Sequence, residues 1–319
     1  MAQQKDLEFY MAQARRISAH REAGAERVIR KIYKHMLKEL RSYMADVYVK
    51  YAENDELSFA MLQKAGYHAR CLEEIEQRIN VATPQAAKEL RQLVNDTYKM
   101  AYESMVQGVV QAGAGGLDAA FAEAAAITPE QIKAAVENPV SGLTLKDTLE
   151  KNRREIIYGI KQTVGTGLMN GDRFTTMAQR IAKQVDNDYT KAIRIARTEA
   201  HRVREAGNHD AALYVDNELQ KGTTGLRMCK TWKTMNDERV RPQRKRGKKV
   251  KMGRGPNHII LNGQTVLENE PFDLKDGAKA MMPGSSGVAG HDINCRCYAS
   301  REMMTDEEYF EATGKHFPK

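Results

Sequence analysis

The residues best suited to chemistry are two histidines and two cysteines towards the C-terminal end. His258 stands by itself, while His291, Cys295 and Cys297 share the segment HDINCRC. Imidazole nitrogens and thiolates are the donors that zinc takes in fours. His258, His291, Cys295 and Cys297 are therefore the set that would hold a zinc ion, with Cys229 as a substitute ligand. The spacing favours a plainer reading. Zinc knuckles usually place two residues between paired cysteines, whereas here Arg296 alone intervenes. On that reading Cys295 and Cys297 lie on one face of a final strand as small, reduced, apolar groups, Arg296 faces the other way, and no cofactor is needed. A thiolate and imidazolium pair between either cysteine and His258 would be a nucleophile, but no local active-site signature accompanies it.

A second group lies in the run IARTEAHRVREAG, where Arg197 and His201 are four residues apart and share a helix face. Arg197 and Glu199 read most simply as polar anchors that fix this helix against a sheet. Trp232 precedes Asn236-Asp237, a pair that favours a turn because Asx side chains bond their own backbone. Asp237 is suited to a bidentate pair with an arginine that would hold the loop in place. As a water-activating or metal-binding carboxylate it lacks a second acid at ligand spacing. From Arg239 to Arg254 there are nine Lys or Arg and no acidic residue. Arg244, Lys245, Arg246, Lys248, Lys249 and Lys251 are the expected contacts to a phosphate backbone, through counterion release. No aromatic residue in the run offers base stacking, so binding would be independent of sequence. A solvated surface loop is the competing reading.

Long helices must carry these groups. Tyr33, Met36, Leu37, Leu40, Tyr43, Met44 and Val47 recur at spacings of three and four, the stripe of an amphipathic helix. A further helix is expected to open at Thr83-Pro84. Gly113 to Gly116 marks a joint, and Thr128-Pro129-Glu130-Gln131 has the makings of a capping box. Helices are expected over about 144–165, 173–185 and 189–215. Beyond Lys221 glycine and proline become frequent, and Asn262-Gly263 between Ile259-Ile260-Leu261 and Thr265-Val266-Leu267 predicts a hairpin. Thr305, which opens TDEEYFEATGK, caps a short final helix. The class is thus α+β, a long helical N-terminal region followed by helices on a small antiparallel sheet. Four cysteines among 319 residues are too few for a disulfide framework. There is neither an apolar run of membrane-spanning length nor a secretory core at the N-terminus, and the expected compartment is a cytoplasm.

Taken in order, IARTEAHRVREAG, WKTMNDERVR, HIILNGQ, MPG and HDINCRC resemble the phage Mu F-like family of head morphogenesis proteins. The resemblance covers about residues 144–302 and rests on Arg197, Thr198, Glu199, Trp232, Asp237, Arg239, Arg241, Gly263, Pro283 and Gly284 as structural motif positions. It implies a helical portal- or capsid-contacting region over 1–112, a linker and short helix over 113–143, the Mu F-like domain over 144–302 and a tail helix over 303–319. It further implies a non-enzymatic virion component of the head interior, made in the host cytoplasm. Its partners would be the portal protein, the major capsid or scaffolding protein and double-stranded DNA, with roles in procapsid maturation and genome ejection. Sixteen residues separate Arg241 from His258, more than the family pattern has, so the basic run reads as an insertion of this chain's own. The alternatives are a metal-dependent hydrolase using Asp237 and His258, a transferase built on Arg197 and Glu199, or a cellular RNA-binding scaffold.

Overall fold

The computed structural model describes residues 2–113, 116–140, 142–222, 224–235, 240 and 256–318, with side chains from residue 7 onward. In chain order the elements are α1 (Ala2–Tyr51), α2 (Phe59–Lys64), α3 (His68–Ala112), α4 (Ala119–Ala124), α5 (Pro129–Glu137), α6 (Leu145–Asn170) and α7 (Phe174–Lys221). There follow β1 (Arg227–Lys233), a 3-10 turn (Ile259–Leu261), β2 (Thr265–Leu267), β3 (Phe272–Asp273), β4 (Lys279–Ala280), α8 (Ala289–Asp292), β5 (Tyr298–Met304) and α9 (Asp306–Thr313). The class is α+β. Among the described residues no helix is long and apolar enough to cross a membrane. The chain divides into two compact units, one formed by residues 1–22, 93–145 and 197–319, the other by 23–92 and 146–196.

The unit of 23–92 and 146–196 is helical. Ile29, Tyr33, Met36, Leu40, Tyr43, Met44 and Val47 of α1 are buried, as are Ile75 and Ile79 of α3, Ile156, Ile160, Val164 and Leu168 of α6, and Met177, Ile181 and Val185 of α7. Each set repeats at three or four residues, which gives each helix one apolar face to bury. Two expected breaks are absent. Pro84 lies inside α3, where it has no N–H to offer the Asn80 carbonyl. The Thr83 hydroxyl donates to the Ile79 carbonyl at 3.0 Å, and Ile75, Ile79, Ala82, Ala86 and Leu90 keep the buried stripe unbroken across the proline. The segments 173–185 and 189–215 are likewise one helix. Asp186 and Asp188 do not stop it, because the Thr190 hydroxyl donates back to the Asp186 carbonyl and the Gln184 amide to the Asp188 carboxylate.

The other unit carries the sheet, ordered β2-β1-β5 and antiparallel throughout. In register, Cys229 faces Leu267 on one side and Glu302 on the other, and Trp232 faces Ala299. One core packs Leu7 and Met11 with Tyr102, Met105, Val109, Ala211, Val215, Leu219 and Met228. Gly207 marks a close helix contact beside it. A Cβ there would stand 2.5 Å from the Tyr98 carbonyl oxygen and 3.1 Å from the Tyr102 nitrogen, so only glycine lets α7 meet the α3 backbone. The Asn262-Gly263 turn exists, with Gly263 at φ +90°, but it does not join two paired strands. Residues 259–261 form the 3-10 turn, and β2 pairs with β1 instead, where the Gly263 N–H donates to the Trp232 carbonyl and the Trp232 N–H to that of Gln264, both at 2.8 Å. Reciprocal capping boxes open α5 at Thr128 with Gln131 and α9 at Thr305 with Glu308.

Asp188 supplies a test of the helical unit. It is fully buried, and burial pushes its carboxyl up to about 6 from an ordinary 3.8 against the opposing pull of Gln184 and Lys191. Between those values the folded chain holds the proton more tightly than the unfolded one, so this group's contribution is present below the lower value and lost as pH rises through the upper. Asp188→Asn should therefore raise stability at pH 7 to 8 by roughly 1–3 kcal/mol. In denaturant titrations the gain should shrink between pH 6 and 4 and vanish below. A gain that does not change with pH would show that the carboxylate is not the cause.

Candidate functional site

The second half of α7 turns a polar face inward. Thr198, Glu199, His201, Arg202, Glu205, Asn208, His209 and Asp216 are all buried, a costly arrangement unless each finds a partner. Three of them grip the chain that leads into β5. The Thr198 hydroxyl accepts the Asn294 N–H at 3.1 Å, His201 Nε2 donates to the Cys297 carbonyl at 2.6 Å, and a Glu205 carboxylate oxygen accepts the Ala299 N–H at 3.1 Å. Advancing along one helix face by three and four residues thus tracks the extended chain from 294 to 299. Glu199 takes the Arg202 guanidinium through Nε and Nη2 at 3.0 and 2.9 Å, and Arg202 also donates to the Ala135 and Val136 carbonyls near the end of α5. Burial raises the Glu199 carboxyl above its ordinary value, opposed by Arg202. Arg197 is half exposed, 3.6 Å from Glu22.

Further along the same face, α7 meets a buried charge cluster. Glu268, directly after β2, accepts His209 Nδ1 at 2.5 Å and Arg301 Nε and Nη2 at 3.2 Å, while its backbone carbonyl accepts Lys230 Nζ at 2.7 Å. Glu268, Arg301 and Lys230 are at most 1% exposed. Burial alone would push the Glu268 carboxyl up, but Arg301, His209 and Lys230 together bring it below its ordinary value. Lys230 is pulled down to about 8 by burial, against the attraction of Glu268. Asp216 completes this side, binding Arg227 through both oxygens and accepting the Met228 N–H.

The histidines and cysteines converge beside Trp232. His258 Nδ1 lies 3.5 Å from Cys297 Sγ and 3.8 Å from Cys295 Sγ. His258 Nε2 lies 3.0 Å from His291 Nδ1, and His291 Nε2 is 2.7 Å from an Asp276 carboxylate oxygen. The two imidazoles stack within 8° of parallel. Asp276 stays below the usual carboxylate range, since the Ala278 N–H and His291 outweigh its partial burial. With Asp276 ionised, His291 Nε2–H donates to it and His291 Nδ1 is left as an acceptor. His258 Nε2–H donates there, and the lone pair of His258 Nδ1 faces both sulfurs. The hydrogen bond from Cys297, with help from His258, holds the Cys295 thiol well below its ordinary range despite burial. Trp232, Leu261, Phe272, Leu274, Ala280 and Ala299 close an apolar wall around the cysteines.

The remaining sequence candidates scatter. Cys229 sits elsewhere on β1, packed with Leu267, Met304 and Tyr309 and pushed up to about 12 by burial, which removes it as a substitute ligand. Both ring nitrogens of His291 are occupied by His258 and Asp276, so it backs the cluster and does not face the sulfurs. Cys295 and Cys297 precede β5 and do not lie in it. Pro283 and Gly284 form the middle of a turn, Met282 to Ser285, in which Gly284 has φ +87° and the Ser285 N–H returns to the Met282 carbonyl, the type II pattern. A Cβ on Gly284 would lie 3.0 Å from His201 Nδ1. Asp237, Arg239, Arg241, Arg244, Lys245, Arg246, Lys248, Lys249 and Lys251 lie outside the described residues. Arg202, Glu205, Glu268, Asp276 and Arg301 were not singled out from the sequence, and His201 was noted only for sharing a helix face with Arg197; Glu205 with Ala299 and Glu268 with His209 and Arg301 join residues 33 to 94 positions apart and leave no local signature.

Residues 158–300 match the family described as Phage Mu protein F like protein. The likeness to that family thus lies towards the C-terminal end of the chain. Two curated relatives extend the match. Minor head protein GP7 of Bacillus phage SPP1 is 29% identical over 273 residues, covering 86% of this chain and 80% of that protein. The NAD(+)-arginine ADP-ribosyltransferase EFV of Enterococcus faecalis is 30% identical over 176 residues, 54% of this chain but 31% of that protein. No solved structure matches.

Among the described motif positions, Trp232 and Gly263 are joined by a backbone hydrogen bond, Thr198 and Glu199 hold Asn294 and Arg202, and Gly284 lies against the His201 ring. Glu268→Ala, which strips the partner from Arg301 and His209, should cost about 3–5 kcal/mol, read as a fall in urea midpoint. Gly284→Ala meets both a positive φ and the His201 ring and should destabilise by about 1–3 kcal/mol. Loss of less than half a kilocalorie in either variant would mean that the region relaxes around these contacts.

Proposed function

We propose that this protein is a non-enzymatic minor head protein of a tailed phage, bound at the portal inside the capsid and touching packaged DNA without regard to sequence. One observation carries the reading, the alignment with the SPP1 minor head protein across most of both chains. The charge distribution supports the DNA contact, because nine Lys or Arg between Arg239 and Arg254 meet no acid in the same run. Assembly would take place in the host cytoplasm, with the portal protein and the major capsid or scaffolding protein as partners.

The geometry disfavours the enzymatic alternatives. A transferase centred on Arg197 and Glu199 needs an accessible carboxylate, yet Glu199 is 3% exposed and engaged by Arg202. A hydrolase using His258 needs a ring nitrogen open to substrate, and His258 is 1% exposed with His291 on one side and two sulfurs on the other. The transferase relative aligns over less than a third of its own length, which gives little reason to carry its named activity to this chain.

Co-expression with the portal protein encoded beside it should yield a complex that survives size exclusion; separate elution would reject the portal assignment. Duplex DNA binding should weaken steeply with salt. Replacing Arg244, Lys245, Arg246, Lys248, Lys249 and Lys251 by glutamine should flatten the plot of log affinity against log salt by about 5 units of slope. An unchanged slope would move the DNA contact elsewhere on the chain.

A further inference from the structure

Three donor atoms aimed at one point in an apolar pocket call for an explanation beyond packing. His258, Cys295 and Cys297 are all buried, and their Nδ1 and Sγ atoms lie within 4.8 Å of one another. Zinc bonds of about 2.3 Å to sulfur and 2.0–2.1 Å to nitrogen put tetrahedral N and S ligands about 3.6 Å apart. The Nδ1 to Sγ distances of 3.5 and 3.8 Å match that edge. We propose that His258 Nδ1, Cys295 Sγ and Cys297 Sγ bind a zinc ion, with His291 and Asp276 as the outer pair that orients His258.

The outer pair separates this arrangement from cysteines that merely fill space. A metal-binding histidine characteristically passes its second ring N–H to another acceptor, which fixes the ring and its tautomer. Here His258 passes it to His291 and His291 to Asp276, at 3.0 and 2.7 Å, so the Nδ1 lone pair faces the sulfurs. Packing alone would give no reason to bury two stacked imidazoles and tie them to a carboxylate. Thiolate and imidazole donors together select zinc over magnesium or calcium, which take oxygen. Both thiols bind as thiolates, releasing their protons to solvent as the metal enters. Among the described residues the set numbers three. The ion would staple the 3-10 turn that follows His258 to the chain entering β5, the same stretch that α7 holds through Thr198, His201 and Glu205.

The test uses the untagged full chain, produced with zinc in the medium and dialysed before elemental analysis by mass spectrometry. One zinc per chain is expected. Cobalt(II) exchanged into the site should show thiolate charge-transfer absorption and the visible bands of a tetrahedral centre, both abolished in the Cys295→Ser and Cys297→Ser double variant. Since that variant could fail to fold, Asp276→Asn provides an independent reading. It keeps all three ligands and should weaken zinc affinity 10- to 100-fold in a chelator competition, with circular dichroism unchanged. A folded chain that holds no zinc and gives no thiolate band with cobalt would overturn the proposal. So would zinc whose binding is indifferent to both cysteines.

Discussion

Glu268 is the group on which the sheet-bearing unit depends. A carboxylate with no exposure cannot be tolerated without cationic partners, and its partners come from three places, His209 on α7, Arg301 on β5 and, through the backbone carbonyl, Lys230 on β1. Each brings its own desolvation cost, so the cluster is stable only when all of its members are in place. That condition fixes the rotation of α7, because His209 shares its face with Thr198, His201, Arg202 and Glu205. Once the helix is so turned, the hydrogen bonds to Asn294, Cys297 and Ala299 follow from helix periodicity alone.

This explains why motifs nearly a hundred residues apart act together. Thr198 with Asn294 and His201 with Cys297 are each separated by 96 positions, yet each pair is a single hydrogen bond. The Met282 to Ser285 turn belongs to the same construction, with Gly284 under the His201 ring.

Periodicity made the helical half of the chain readable. Tyr33, Met36, Leu40, Tyr43, Met44 and Val47 are all buried, and the caps at Thr128 and Thr305 announce themselves through residues three positions away. Local rules misled where tertiary burial was stronger. Proline at 84 and the Asp186-Asn187-Asp188 run are breakers in isolation, but the apolar stripe on either side costs more to interrupt than one lost hydrogen bond. The sequence also drew His258, Cys295 and Cys297 together, whereas Asp276, Glu268 and Arg301 were invisible in it. A single carboxylate or arginine carries no sign of its partner when that partner lies 15 to 33 residues off and neither spacing nor composition links them.

The division into two units has a consequence for how the protein comes to exist. The helical unit needs nothing beyond residue 196, whereas the other unit joins residues 1–22 and 93–145 to 197–319. Leu7 and Met11 are buried with Val215, Leu219 and Met228, and the grip of α7 on the β5 approach closes only when Ala299 is present. On a ribosome the first unit can therefore form while the opening turns of α1, with Tyr102, Met105 and Val109 already made, still lack Val215, Leu219 and Met228 of the same core. Until those residues emerge the core around Leu7 and Met11 stays incomplete, an interval in which a chaperone or an early assembly partner has access to a surface that the finished molecule conceals.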